Sequence, residues 1–340
     1  VVNAGGVNLF VNNGLITVHT GEFVIGVPGV NNGTIIVIPP DTLIFETGWT
    51  YNPGSSLEGP GGVSFSGGMH SFPTGGFTIT GPVALIAGTL VLPGSSLPNY
   101  NAATFTFTGG SWTIGDGAQL FINGADIRTI AADTTFTLTG GGTLAALANL
   151  ANVIGSLSLE SGASLAVNPN ASGGTLSNTG TIRIGPGAAL SVSGSYSQSA
   201  TAMLDVGIAG ITNALLGRMI VTGNAALGGS LALHYENGFI PSRGDSFRFI
   251  ASTGSTGAFT STLVPPPPNS TLKSPVLADA SGARLIVTHI ADWNNDLAVN
   301  VPDIFAFLSS WFAGQGDFDG VNGNAVPDIF AFLSAWFSAS

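Results

Sequence analysis

The sequence predicts a mainly β protein, in which a parallel β-helix or solenoid body precedes a small all-α pair of helices. Glycine supplies 50 of the 340 residues, so turns are dense, and only 7% of the residues are charged while 44% are hydrophobic. Short segments in which apolar and hydroxyl side chains alternate recur along most of the chain, and this alternation is typical of strands with one buried face. A close duplication near the C-terminus has helical spacing instead.

The predicted strands share a recurring motif. Gly-Ala-x-Leu-x-(Val/Ile) begins at four glycines and a looser form begins at a fifth: Gly117, Gly162, Gly187 and Gly282, then Gly229. The first two intervals are close to two units and one unit of about 21–25 residues, and periods in this range indicate a solenoid. Coils that rise by about 4.8 Å would number roughly a dozen over the body. A β-sandwich is the alternative, because it also contains many short strands.

The body is predicted to have two parts. Residues 1–203 carry the regular repeats, whereas residues 204–290 are less regular and are expected to form the last coils or a terminal β cap. The predicted loop at 265–275 begins with four consecutive prolines. These cannot lie in a central strand, because proline has no N–H to donate. Residues 291–340 form a third region, described below.

The charge of the chain excludes two classes of partner. Seven Lys and Arg side chains stand against 18 Asp and Glu side chains, which gives a net charge of −11. Binding to nucleic acid or to an anionic membrane requires a basic surface, so neither is expected. No apolar run is long enough for a transmembrane helix, so membrane insertion is not expected. The absence of cysteine excludes thiolate metal sites and a cysteine nucleophile.

Catalysis by the body is not expected. Polysaccharide-cleaving β-helices need several carboxylates and a basic residue on one face of successive coils, whereas the acids of this body are scattered singly along the sequence. The best local candidates are Asp126 with Arg128 and His234 with Glu236, each two residues apart on one strand face. Both are interpreted as exposed ion pairs or hydrogen-bonded pairs. The sequence therefore predicts no catalytic residues.

The C-terminal region is a duplication. VPDIFAFLSSWF at 301–312 recurs as VPDIFAFLSAWF at 326–337, with one change in twelve positions. Within each copy four apolar residues fall at positions i, i+3, i+4 and i+7, which is one stripe of an amphipathic helix. In the first copy these are Ile304, Phe307, Leu308 and Trp311. Pro302 suits the first turn of a helix, where its missing N–H is not needed.

A polar loop precedes each predicted helix. The first loop places oxygen-bearing side chains at positions one, three, five, nine and twelve: Asp292, Asn294, Asp296, Asn300 and Asp303. The second loop offers Asp317, Asp319 and Asp328, with Asn322 or Asn324 as further candidates. A twelve-residue loop that ends in a carboxylate at the start of a helix is how EF-hand proteins bind calcium. Calcium is therefore the predicted cofactor, although Leu297 stands where such loops need glycine.

Two resemblances extend this interpretation. The end of the body resembles autotransporter-like β-helical surface proteins of planctomycete bacteria in three segments: VTGNAALGGSLAL, NGFIPSRGDSFRFI and GARLIVT. Residues 292–340 resemble a dockerin with two F-hand loops. The first resemblance implies an extracellular or cell-surface location. The second implies a cohesin-like partner, bound through residues just before and along the helices: Val301, Pro302, Phe312, Val326, Pro327 and Phe337.

Together these features predict an extracellular structural protein that self-assembles into a filament, a sheath or a surface layer. A solenoid ends in unpaired strand edges. A neighbouring copy is therefore expected to complete the first edge, with the helix pair as the other half of a head-to-tail homopolymer contact. Two alternatives remain. One is a monomeric cell-surface protein anchored to a cohesin-like partner, and the other is a carbohydrate-binding or carbohydrate-cleaving β-helix protein.

Overall fold

The computed structural model describes residues 8–19, 21–172, 174–321 and 323–339, and it contains a parallel β-solenoid followed by two helices. The longest sheet has eleven strands, all parallel and each taken from the next coil, so the chain completes ten turns from its first strand to its last. The predicted fold class is confirmed.

The first four coils are short and regular. Each contributes three strands: β1 (Phe10–Asn12), β2 (Leu15–Val18), β3 (Glu22–Ile25), β4 (Gly29–Asn31), β5 (Thr34–Val37), β6 (Thr42–Phe45), β7 (Trp49–Tyr51), β8 (Ser56–Gly59), β9 (Gly62–Phe65), β10 (Met69–Ser71), β11 (Phe77–Ile79) and β12 (Val83–Leu85). Leu43 of β6 pairs with Val63 of β9, and Val63 pairs with Val83 of β12. The two steps are equal, so the spacing between successive strands of this sheet is constant in this part of the body.

The middle coils are longer and less even. Their strands are β13 (Thr89–Pro93), β14 (Tyr100–Asn101), β15 (Thr106–Phe107), β16 (Gly110–Ile114), β17 (Gln119–Asn123), β18 (Thr129–Ile130), β19 (Thr134–Thr139), β20 (Thr143–Leu144), β21 (Asn152–Val153), β22 (Ser156–Glu160), β23 (Ser164–Val167), β24 (Thr175–Asn178), β25 (Thr181–Ile184), β26 (Ala189–Val192) and β27 (Ser195–Gln198). Val83 pairs with Trp112 of β16, a longer step than the one from Val63 to Val83, because the antiparallel pair β14–β15 is inserted.

The coils continue beyond residue 203, and the last of them closes with antiparallel strands. These elements are β28 (Met203–Ile208), β29 (Arg218–Val221), β30 (Asn224–Leu227), β31 (Ser230–Tyr235), β32 (Ser246–Ala251), β33 (Gly254–Gly257), β34 (Ser261–Leu263), β35 (Leu272–Lys273), β36 (Val276–Asp279), β37 (Gly282–Ile286) and β38 (Thr288–His289). Strand β37 pairs antiparallel with β32 and with β36. The loop predicted at 265–275 includes strand β35, and its four prolines lie outside any strand.

Three faces run along the solenoid. The first face consists of β1-β4-β7-β10-β13-β17-β20 and, in later coils, β23-β26-β29-β32. The second consists of β2-β5-β8-β11 and then β15-β18-β21-β24-β27-β30-β33. The third runs without interruption from β3 to β34. Because successive side chains on a strand point to opposite sides, each face presents one set of residues to the core and another to solvent.

The core lies inside the tube and contains stacked aromatic rings. Phe45 and Phe65, on adjacent coils, stack with their centroids 5.5 Å apart and their planes 7° from parallel. His70 is fully buried beside them. Its Nε2 lies 3.3 Å from the carbonyl of Gly67, which can only accept, so Nδ1 accepts from the Tyr51 hydroxyl at 3.3 Å. Burial lowers the pKa of His70 to about 4, so the imidazole is neutral in the folded protein.

The Gly-Ala motif forms a corner of the solenoid. Gly117, Gly162 and Gly187 have φ values of 69°, 80° and 73°, in the left-handed region that glycine adopts without strain. The alanine after each glycine is fully buried, and each corner leads into a strand of the first face: β17, β23 and β26. The other two copies lie elsewhere. Gly282 begins the antiparallel strand β37, and Gly229 precedes β31 on the third face.

The two helices, α1 (Val301–Phe312) and α2 (Val326–Ala339), form a separate small core. Phe307 and Phe332 are fully buried at its centre. Ile304, Leu308 and Trp311 pack against them, as the helical spacing predicts. Within the described part of the chain, neither helix combines the length and the hydropathy that crossing a membrane requires.

Candidate calcium loops and apolar helix faces

The first polar loop is held by its two terminal aspartates. Asp292 and Asp303 are both fully buried. The carboxylate of Asp303 accepts hydrogen bonds from the backbone N–H of Asn294 at 3.1 Å and of Asn300 at 2.8 Å. Asp292 accepts from the backbone N–H of Leu297 at 2.9 Å, and also from the Asp296 N–H and the Thr288 hydroxyl. These contacts wrap the loop around both carboxylates.

The remaining predicted ligands of the first loop differ in exposure. Asn294 and Asp296 are exposed, and the Asn294 amide donates to Asp296 at 2.9 Å. The Oδ1 atoms of Asn295 and Asn300 are buried without a hydrogen bond of ordinary geometry, although the Asn300 side chain faces the backbone N–H of Asp303 in the capping box of α1. A buried acceptor without a donor is costly, and a bound cation would satisfy it. The first loop therefore has the oxygen chemistry that calcium needs, and it includes Asn300, the predicted ligand at position nine.

The second loop brings three carboxylates together. The ligand atoms of Asp317, Asp319 and Asp328 all lie within 4.8 Å of one another. Asp317 and Asp319 are exposed, whereas Asp328 is fully buried. Asn322 lies outside the described residues. Asn324 is engaged in the fold, because its Oδ1 accepts from the Gly316 N–H at 2.6 Å and its amide donates to a backbone carbonyl of α1.

Asp328 also has a role that needs no metal. It occupies the first turn of α2 and accepts the backbone N–H groups of Phe318, Asp319 and Ala325. The bond from Ala325 holds the pKa of Asp328 below its usual range, and the bonds from Asp319 and Phe318 act in the same direction. A carboxylate at this place satisfies the unpaired N–H groups at the start of a helix. Asp303 does the same for α1.

The sharp turn of the first loop is made without glycine. Leu297 has a φ of 75° and Asn295 a φ of 61°. The left-handed conformation costs about 1–2 kcal/mol for a side chain such as leucine. The departure from the EF-hand pattern at Leu297 is therefore accommodated by backbone strain and does not abolish the turn.

The predicted partner-binding residues lie on the surface. All six are exposed: Val301, Pro302, Phe312, Val326, Pro327 and Phe337. The structure adds two residues that sequence reasoning missed, Phe305 at 66% exposed and Phe330 at 68% exposed. Positions i, i+4 and i+11 lie within about 40° of one another around an α-helix. Because this spacing is present in each copy, it could have identified Phe305 and Phe330 from the sequence.

The two tryptophans join the halves of the helix pair. The indole Nε1 of Trp311 donates to the carbonyl of Ala325 at 2.9 Å, and that of Trp336 donates to the carbonyl of Asn300 at 2.9 Å. Each acceptor is position nine of the other copy's loop. Both tryptophans also pack against the buried core of the helix pair. They are part of the module's own structure.

A lysine of the body faces the first loop. Lys273 of β35 lies opposite Thr288 of β38 in an antiparallel pair. Its Nζ is 5.6 Å from the ring centroid of Trp293, within the range of a cation–π contact. Burial lowers the pKa of Lys273, while the charges of Asp292 and Asp303 raise it. The body and the loop are therefore in electrostatic contact.

On the third face, acids that are scattered in the sequence come together. Arg183 forms ion pairs with Glu160 at 2.6 Å, with Asp205 at 2.8 Å and with Glu236 at 2.8 Å. His234 lies 3.4 Å from Asp205. These side chains come from strands or loops of successive coils, a relationship that only the register reveals. The guanidinium engages one oxygen of each carboxylate, so the group balances charge across several coils.

The other local candidate is a simple pair. Arg128 contacts Asp126 at 2.7 Å, and the amide of Asn149 donates to the same carboxylate at 3.0 Å. The guanidinium of Arg128 also lies 4.1 Å from the ring centroid of Phe105. These contacts fix a surface loop of the body.

The first coil exposes apolar side chains at the edge of the solenoid. Strands β1, β2 and β3 each pair on one side within the described residues. The exposed large apolar residues there are Leu9, Phe10, Val11, Leu15, Phe23 and Val24.

Comparisons with protein-family models, with curated proteins and with solved structures gave no match for this chain.

Proposed function

We propose that the protein is an extracellular structural protein that assembles with copies of itself, and that the helix pair is its calcium-binding contact module. The body serves as a rod that spaces these contacts. The proposal assigns no catalytic role to the body, because the three carboxylates around Arg183 are already engaged by its guanidinium.

The observation that carries the proposal is the pair of exposed apolar stripes on the helices. Val301, Phe305 and Phe312 line one side of α1, and the same residue types recur at the equivalent positions of α2. Large exposed apolar patches mark interaction sites in soluble proteins, and aromatic residues contribute much of the energy at interfaces. Together, the two stripes supply six exposed apolar side chains from two short helices, and four of the six are phenylalanines.

The first coil is the proposed complementary surface. Its strand edges carry unpaired N–H and C=O groups on one side within the described residues, and its exposed side chains include six large apolar ones. An edge of this kind is a template for another chain. A contact between this edge of one copy and the helix pair of the next is heterologous. Because such a contact does not close on itself, it propagates as a filament.

Calcium is proposed to order the module. Six of the 18 acids lie after residue 291, and no Lys or Arg lies there. The second loop offers three converging carboxylates, and the first offers two buried amide oxygens without a hydrogen bond of ordinary geometry. When calcium binds, it supplies positive charge and coordination to these oxygens, so binding energy becomes folding energy of the module.

The test is the size of the native particle with and without calcium. Light scattering after gel filtration and electron microscopy should find concentration-dependent oligomers in calcium and smaller species in chelator. The double variant Phe305→Ser/Phe330→Ser should be monomeric in both. Ile211→Ser is the matched control, because Ile211 is 64% exposed but lies on the body. It should assemble as the wild type does.

A wild type that stays monomeric at high concentration in calcium would overturn the self-assembly proposal. Stable binding of a cohesin-like domain by that monomer would favour the anchored cell-surface alternative. The same apolar stripes would then be the contact surface, and the serine double variant should lose the binding. Cleavage of a polysaccharide, abolished by substitutions around Arg183, would favour the carbohydrate-active alternative.

A further inference from the structure

We propose that the solenoid body supplies a resident positive charge to the first loop through Lys273, so that the first loop binds calcium much more weakly than the second. The first loop then serves as the joint between body and module, and the second is the loop that responds to calcium. This inference rests on the proposed calcium-binding function.

The geometry of one strand pair carries the inference. Lys273 of β35 and Thr288 of β38 are direct cross-strand partners at the end of the body. The Thr288 hydroxyl donates to the carboxylate of Asp292, the first residue of the loop. The Nζ of Lys273 lies over the ring of Trp293, the second residue of the loop. One short antiparallel pair therefore delivers both a hydroxyl donor and a cation to the same loop.

Burial makes this charge effective. Asp292 and Asp303 are fully buried, and both interact electrostatically with Lys273. Charges that are shielded from water interact more strongly and are screened less by salt than charges on the surface. The ammonium stabilises the two carboxylates and repels a second cation. A divalent ion that enters this loop must overcome that repulsion.

The second loop lacks the equivalent groups. The residue four positions before Asp317 is Ala313, which has no hydroxyl to donate, whereas the residue four positions before Asp292 is Thr288. No Lys or Arg follows Arg284 in the sequence. Asp317 is exposed while its counterpart Asp292 is fully buried. The two loops therefore have different electrostatic surroundings, although the helices that follow them are nearly identical in sequence.

The hydrogen bonding agrees with this division of roles. Asp292 already accepts from three donors, one of which belongs to the body: Thr288, Asp296 and Leu297. In the second loop, Asp317 is the equivalent of Asp292, and its carboxylate converges with those of Asp319 and Asp328 at distances that suit a shared cation. Within the described ranges no ion pair joins Lys, Arg or His to the aspartates of either loop, so Lys273 acts on the first loop through space and not through a direct contact.

The experiment is calcium titration of the 340-residue chain by calorimetry. We expect one tight site in the wild type, lost in Asp319→Ala. In Lys273→Met a second site should appear, with its affinity raised about tenfold or more, and it should persist in the double variant Lys273→Met/Asp319→Ala. Lys273→Arg keeps the charge and should behave as the wild type. Arg128→Met is a second control, because Arg128 pairs with Asp126 in the middle coils of the body.

A second measurement uses no calcium. In chelator, Lys273→Met should lower the midpoint of thermal unfolding of the helix pair, because two buried carboxylates lose their counter-charge, while Lys273→Arg should not. Thr288→Val should also lower it, because Asp292 loses a donor.

The outcomes separate the inference from the function on which it rests. Two equally tight sites in the wild type, or a second loop that binds calcium with no gain in Lys273→Met, would overturn the inference alone. No calcium binding in any variant would overturn the calcium module together with the inference.

Discussion

The rings of Phe307 and Phe332 stack face to face, with their centroids 4.2 Å apart and their planes 5° from parallel. The two residues occupy the same position in the two copies of the repeat. Both rings are fully buried, and Trp293 and Phe307 form a T-shaped pair with their ring centroids 5.1 Å apart. The contact between equivalent residues is therefore the centre of the module.

Truncation of this stack should unfold the module. Phe307→Ala removes a fully buried ring and should cost about 3–5 kcal/mol of module stability. Phe312→Ala is the matched control, because the same residue type there is 79% exposed, and it should change stability by less than about 0.5 kcal/mol. Hydrogen exchange of α1 and α2 measures both. Equal effects of the two substitutions would contradict this account of the core.

The corner glycines offer a matched pair. Gly162 and Gly187 have similar positive φ values, but a Cβ added at Gly162 meets nothing within 4 Å, whereas one at Gly187 would lie 2.5 Å from the carbonyl oxygen of Ala214. Gly162→Ala should cost about 1 kcal/mol through the backbone alone. Gly187→Ala should cost at least about 2 kcal/mol, because a clash is added. Urea unfolding of the body distinguishes the two.

The charge of Arg183 should be needed to hold three carboxylates on the third face. Arg183→Met should destabilise the body by about 1–2 kcal/mol, because Glu160, Asp205 and Glu236 would then repel one another. Asp205→Asn in the same chain should recover part of the loss. Arg128→Met, which frees one carboxylate, should cost less than about 1 kcal/mol. A double-mutant cycle by urea unfolding checks this, and additive effects of Arg183 and Asp205 would refute it.

Stability should fall as the pH drops below about 6.5. The pKa of His70 is lowered to about 4 in the folded protein, so the unfolded chain takes up the proton first. The contribution of His70 is therefore fully present above pH 6.5 and is lost progressively as the pH falls to 4, by up to about 3 kcal/mol. His70→Gln should remove this part of the pH dependence. Parallel pH curves for wild type and variant would show that His70 plays no part.

Much of the fold could be predicted from the sequence, because strand alternation and corner residues are local properties. The corners at Gly117, Gly162 and Gly187 are indicated by the motif that precedes each strand. The length of a coil, in contrast, is not a local property of the sequence. The step from Val83 to Trp112 exceeds the step from Val63 to Val83 because a hairpin is inserted, and nothing in the strand pattern fixes the size of that insertion.

Part of the candidate site could be predicted from the local sequence, and part could not. Spacing alone placed Asp303 and Asp328 at the starts of helices, and the structure finds both there. The group around Arg183 could not be predicted, because the register that aligns Ser158, Arg183 and Asp205 depends on two coils of unequal length. The contact of Thr288 with Asp292 depends on how the module docks on the body, which no motif encodes.

Through the reciprocal indole hydrogen bonds, each copy of the repeat supplies the acceptor that the tryptophan of the other copy needs. Trp311 reaches into the second half and Trp336 into the first. A single copy of the repeat could make these bonds only with a second chain. Fusing two copies in one polypeptide turns such a concentration-dependent pairing into a permanent one. A cut between the helices should therefore leave two fragments that recognise each other.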